Sequence, residues 1–132
     1  MSSRLSNAII LSAVAILLIA CAPVPIQNVE NAPINASNAN YDLSDVTKAI
    51  LRAGTGLGWQ MKGETPGHIV GTLNVRRHVA VVDITYTLDE FSISYKDSTN
   101  LKYDPASNGI HSSYNRWVRN LAQEIDGQLI GI

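Results

Sequence analysis

The chain has 132 residues, with ten lysines and arginines against eleven aspartates and glutamates, a formal net charge of −1. That balance, with Arg76-Arg77 as the only adjacent basic pair, argues against a nucleic-acid partner, which needs a concentrated basic patch on the phosphates. A single cysteine excludes an intramolecular disulfide, so the fold has to be held together by its core.

Residues 1–20 have the parts of a secretory signal peptide. Arg4 and the amino terminus supply positive charge, and an apolar run from Ala8 to Ala20 follows, interrupted only by Ser12. As a helix those roughly 13 residues reach about 20 Å, short of the ~30 Å hydrocarbon core, which disfavours a permanent span. The run ends at Leu18-Ile19-Ala20-Cys21. These four residues resemble the lipobox of bacterial lipoproteins: an aliphatic residue, a tolerant position, a small residue and a cysteine. The resemblance implies diacylglycerol on Cys21, cleavage before it by signal peptidase II, and acylation of the new amino terminus. In Gram-negative members of this class a residue other than aspartate after the cysteine implies sorting to the outer membrane, and Ala22 stands there. The expected localisation is thus the outer membrane, facing the periplasm. Two or three acyl chains would hold durably where one binds only marginally.

Residues 21–40 follow the leader with Pro23, Pro25 and Pro33 among five asparagines, without helical or strand periodicity. The composition predicts a disordered linker that begins at the lipidated Cys21 and leaves the folded part floating near its membrane. Residues 41–132 are then one small α+β domain, too short for two.

Its first helix is predicted from Ser44 as N-cap, Asp45 in the first turn, and Val46, Ala49, Ile50 and Ala53 at helical spacing, with Gly54 as the stop. Four extended runs follow, and their loops test one another. A three-residue loop at Thr65-Pro66-Gly67 sets Gly63 opposite Ile69 and Met61 opposite Gly71. A two-residue loop at Arg76-Arg77 sets Leu73 opposite Ala80 and Ile69 opposite Ile84. A four-residue loop from Thr87 to Glu90 sets Tyr86 opposite Phe91 and Val82 opposite Tyr95. All three place the apolar residues on one face, which predicts a four-stranded antiparallel meander whose other face is solvated. A closing helix is read from Tyr114, Trp117, Val118, Leu121, Ala122 and Ile125, with Gly127 ending or fraying it. The expected fold is helix, four-stranded meander, helix, with both helices on one face of the sheet. Tyr114-Asn115-Arg116-Trp117-Val118 resembles small lipoproteins of Gram-negative bacteria, a resemblance that implies no particular activity.

Chemistry is concentrated between the last strand and the closing helix. Tyr95, Asp97, Asn100, Tyr103 and His111 gather phenols, a carboxylate, an amide and an imidazole in a predicted loop, where binding residues tend to sit. The same stretch holds ordinary turn formers: Asp97, Ser98, Asn100 and Asn108-Gly109. It is read as a polar binding notch, with no catalytic residue assigned. No metal site is expected, because His68 and His78 fall at opposite ends of the second hairpin, and no cofactor is implied. Asp89-Glu90, the adjacent acidic pair, lies in a predicted exposed turn, where water keeps carboxyl groups ordinary. The expectation is a non-enzymatic envelope lipoprotein that binds or scaffolds another envelope component. A small periplasmic enzyme inhibitor or ligand sensor using the Tyr95 to His111 loop is the alternative.

Overall fold

The structure is a computed structural model that describes residues 22–132; the leader, the lipobox and Cys21 lie outside the described residues. Among the described residues, two helices and seven strands form a mixed α+β fold. The strands are β1 (Val24–Pro25), β2 (Val29–Pro33), β3 (Gln60–Thr65), β4 (His68–Val75), β5 (His78–Tyr86), β6 (Glu90–Thr99) and β7 (Gly109–Ile110), and the helices are α1 (Leu43–Gly56) and α2 (Ser112–Ile130). The main sheet is five-stranded and antiparallel, in the order β2-β6-β5-β4-β3, while β1 and β7 pair separately.

Strands β3 to β6 are the expected meander. Gly63 pairs with Ile69, Met61 with Gly71, Leu73 with Ala80, Ile69 with Ile84, Tyr86 with Phe91 and Val82 with Tyr95. Two bulges refine it. One, between Gly63 and Thr65, brings Thr65 opposite His68 and shortens the first turn to Pro66-Gly67. The other sets Val81 opposite Asp97 while Val82 keeps Tyr95, which leaves Lys96 as the extra residue and carries β6 on to Thr99.

The fifth strand corrects both the strand number and the linker. Residues 22–40 are ordered into the fold, so the folded part begins at Val24 and not at Tyr41. In β2, Val29 pairs with Ile93 and Ala32 with Phe91 across a bulge, with Asn31 in the left-handed region at φ 51°. The asparagines act as hydrogen-bonding groups here. Asn28 Oδ1 accepts from Tyr95 N at 3.2 Å, and Asn31 N donates to Ser92 Oγ at 3.0 Å. Pro33 is tolerated because β2 is an edge strand, where a missing N–H need not face a partner.

Helix α1 starts earlier than Ser44 because Asp42 has the better cap. Asp42 Oδ1 accepts from Asp45 N at 2.9 Å and Asp45 Oδ2 accepts from Asp42 N at 3.0 Å, a reciprocal capping box contributing about 1 kcal/mol. Gly54 is not the stop. It is a packing residue, since a Cβ there would come within 2.6 Å of Met61 Sδ and its flanking carbons, and the chain turns instead at Gly58, φ 87°. Helix α2 likewise runs through Gly127 to Ile130. A helical glycine costs about 1 kcal/mol, but burying Leu129 two residues on contributes about 2 kcal/mol and offsets it.

One apolar cluster joins the parts. It contains Val46, Ala49, Ile50 and Ala53 of α1, Tyr114, Val118, Leu121, Ile125 and Leu129 of α2, and Ile69, Leu73, Ala80, Val82, Ile84, Phe91 and Ile93 from the alternate positions of one sheet face. Among the described residues, no helix is long and apolar enough to cross a membrane.

Candidate functional site

The five residues expected to line one notch are divided by the fold. Tyr95 and Asp97 lie on β6, not in a loop. Tyr95 is half-buried on the core side, stacks on Tyr103 with ring centroids 4.3 Å apart, and meets Tyr114 edge-on at 5.6 Å. Its hydroxyl pairs with Ser98 Oγ at 2.8 Å. Asp97 is exposed and accepts from Ser98 N at 2.8 Å. Asn100 and His111 belong to a second group around His78. His78 Nδ1 donates to Asn100 O at 2.7 Å, Asn100 Nδ2 donates to Arg77 O at 2.8 Å, and the His78 and His111 rings lie 5.9 Å apart. His111 caps α2 by accepting from Ser113 N at Nδ1, 3.0 Å away. Between the two groups the chain makes a tight turn closed by Asp104 N to Gly109 O at 2.9 Å, and the Asp104 carboxylate accepts from Ala106 N and Ser107 Oγ.

Burial alters the phenols of the first group. Desolvation, with the nearby Tyr95 phenol adding, pushes the Tyr114 pKa well above the ordinary tyrosine range. The Tyr95 phenol is also raised, chiefly by burial, against the opposing hydrogen bond from Ser98. A raised folded-state pKa gives stability that is complete below about pH 10, where unfolded tyrosines titrate, and is lost as pH climbs toward the folded values. The urea midpoint is therefore expected to fall above about pH 10, and Tyr114→Phe is expected to flatten that fall. An equally steep decline in the variant would contradict this assignment.

The outer face of the sheet carries a charge cluster. His68 Nε2 lies 2.7 Å from Asp83 Oδ1, and Lys96 Nζ lies 3.5 Å from the same oxygen. The strand register keeps His68 and His78 at opposite ends of the β4–β5 hairpin, opposite Thr85 and Val75. Among the described residues, no three histidine, cysteine or acidic side chains are placed to share a metal ion.

A further concavity lies elsewhere, and sequence reading did not single it out. A cleft of about 560 Å³ opens between the first turns of α1 and the β3–β4 turn, lined by Leu43, Ser44, Thr47, Gly63, Glu64, Thr65, Pro66 and Tyr86. That volume falls within the range of roughly 300–1,000 Å³ that holds small ligands or a partner's side chains. Its polar groups largely satisfy one another. Thr47 Oγ1 donates to Leu43 O at 2.9 Å, so the Tyr86 hydroxyl, 2.7 Å away, donates to Thr47. The lining carboxylate, Glu64, is exposed and pairs with Lys62 at 3.5 Å. What opens the cleft is Gly63, whose side-chain position has nothing within 4 Å; Gly71, on the same face, is crowded by Met61, Trp59 and Val82 at 3.2–3.3 Å. The one signal in the sequence was a glycine on the apolar face of a strand.

Compared with protein-family models, with curated proteins and with solved structures, the chain matches none.

Proposed function

We propose that this chain is an envelope lipoprotein, held on the outer membrane by lipid on Cys21, and that its folded part is a non-enzymatic module that binds another envelope component. The observation that carries the anchor is Leu18-Ile19-Ala20-Cys21 closing an apolar run of signal-peptide length. Two features of the folded part support binding over chemistry. His78 and His111 are held in structural hydrogen bonds, and His68 is paired with Asp83. The cleft offers apolar walls and a self-satisfied hydroxyl pair, which suits an apolar side chain of another envelope protein. A reacting group would need an acid or base withdrawn from water, and Glu64 is exposed.

The test compares wild type, Cys21→Ala and Gly63→Leu expressed in a Gram-negative host, by intact mass, membrane fractionation and in-cell crosslinking. The wild type is expected as an acylated chain beginning at Cys21 in the membrane fraction, and Cys21→Ala as an unacylated chain released from it. Gly63→Leu puts a side chain into open space. It is expected to leave the fold and anchor intact and to weaken the crosslinks. Wild-type chain lacking acyl groups would remove the anchor, and crosslinks that survive Gly63→Leu would move the contact off the cleft.

A further inference from the structure

The ordered amino-terminal segment determines which end of the fold a lipid on Cys21 would hold to the bilayer. Val24 pairs with Ile110 and Pro25 with Gly109, and Ile26 N donates to Asn108 O at 2.9 Å. The segment is pinned further by the buried Asn115, which accepts from Gln27 N at 3.0 Å and donates to Pro25 O at 2.9 Å. Only Ala22 and Pro23 stand between Cys21 and the paired Val24, so the attachment reaches at most about 11 Å. A headgroup layer is itself about 5–8 Å thick. The end of the fold that carries β7 and the start of α2 therefore has no room to drift from the lipid surface.

That end is basic. The Arg76-Arg77 turn is tied to Asn100 through Arg77 O, Lys102 follows two residues on, and His111 N donates to Leu101 O at 2.8 Å, bringing the first turns of α2 and Arg116 alongside. All four cations are exposed. Of the carboxylates nearby, Asp97 lies back along β6 and both Asp104 oxygens are engaged in their own turn. The opposite end is acidic, with Asp42 and Asp45 at the start of α1 and Asp89 and Glu90 in the turn that Tyr41 reaches by donating its hydroxyl to Leu88 O, while Glu64 in the cleft is paired with Lys62. The chain is nearly neutral overall, and its charge is separated along the strands.

We propose that the Arg76, Arg77, Lys102 and Arg116 end is a contact surface for anionic phospholipid headgroups of the bilayer that holds the Cys21 lipid, standing the sheet upright with its cleft away from the membrane. This rests on lipidation of Cys21, and it replaces a floating domain with a docked one. Short tethering and charge complementarity act in the same direction, since basic groups within a Debye length of an anionic leaflet are drawn to it.

The test uses the full chain, acylated in a Gram-negative host and reconstituted into phosphatidylethanolamine and phosphatidylglycerol vesicles containing a headgroup nitroxide. A fluorophore is placed on Ala106→Cys, at the basic end, or on Asp89→Cys, at the acidic end. Quenching is expected to be several-fold stronger at position 106. The difference should shrink in phosphatidylcholine vesicles, in high salt, and in the triple variant R76Q/R77Q/K102Q. Equal quenching at the two positions, in a chain shown to be acylated by mass and to float with the vesicles, would overturn the docking and leave the lipid anchor standing. A difference undiminished in phosphatidylcholine and in the triple variant would overturn the electrostatic contact. An unmodified Cys21 would overturn the anchor and the docking together.

Discussion

Replacing Tyr114 by alanine is expected to destabilise the fold by about 3–5 kcal/mol, the cost of removing a large aromatic ring from a packed core. The ring is 1 % exposed and is the largest of the fully buried side chains. It lies in the first turn of α2 and meets the edge of Tyr95, which in turn stacks on Tyr103, so its loss leaves a cavity beneath the Tyr95–Tyr103 stack. Against a total stability of about 5–15 kcal/mol for a domain of this size, that is a third or more. Urea unfolding of wild type, Tyr114→Ala and Tyr114→Phe checks it. The phenylalanine variant, which keeps the ring, is expected within about 1 kcal/mol of wild type. A loss below about 1 kcal/mol in the alanine variant would show that the ring is not part of the core that the geometry describes.

Asn115→Ala is the second large effect, and it separates the amino-terminal strand from the rest. Asn115 is the buried polar side chain of the core, 4 % exposed, and both of its amide atoms serve backbone groups near residue 26. Truncation leaves the Gln27 N–H and the Pro25 carbonyl without partners, at about 1–3 kcal/mol for each group that stays buried. The segment has a cheaper response, which is to detach and return those groups to water. The expected result is a stability loss of about 2 kcal/mol together with rapid hydrogen exchange and protease cleavage confined to residues 22–28. Asn115→Asp keeps the acceptor for Gln27 but buries a charge and sets an oxygen against the Pro25 carbonyl, so it should be at least as destabilising as Asn115→Ala at neutral pH. Unchanged protection of residues 22–28 in Asn115→Ala would mean that β1 is held by its pairing with β7 alone. Detachment would turn residues 22–28 into the loose tether that the composition of residues 21–40 suggested.

That contrast between composition and placement runs through the molecule. The registers of β3 to β6 were legible because each turn is short, each strand alternates, and a one-residue slip would move every apolar side chain to the wrong face. Residues such as Ile69, Val82, Ile84 and Phe91 carry this information locally. Helix α2 was legible for the same reason, with Tyr114, Val118, Leu121 and Ile125 on one stripe, although its end was not: Leu129 lies beyond Gly127 and only its burial shows that the helix continues.

Strand β2 was not legible. Its inward residues are Val29 and Ala32, with Ile34 just beyond its end, and the bulge at Asn31 breaks the period of two that marks a strand. Its order comes from Ser92, Tyr95 and Asp89, roughly 55 to 67 residues away in the chain, partners that no local window contains. The grouping of the polar residues was hidden for a related reason. The bulge at Lys96 carries β6 on to Thr99 and takes Asp97 out of the expected loop, while Tyr95, opposite Val82, stacks on Tyr103, and Asn100 and His111 gather at His78. The sequence by itself determined an α+β chain with an antiparallel meander and without an intramolecular disulfide. Tertiary structure alone decided that the amino-terminal segment from Val24 closes onto one basic end of the sheet and that a cleft opens at the other. Both depend on which residues far apart in the chain become neighbours: Asn115 beside Gln27 closes the amino-terminal segment onto the fold, and the absence of any neighbour beside Gly63 leaves the cleft open.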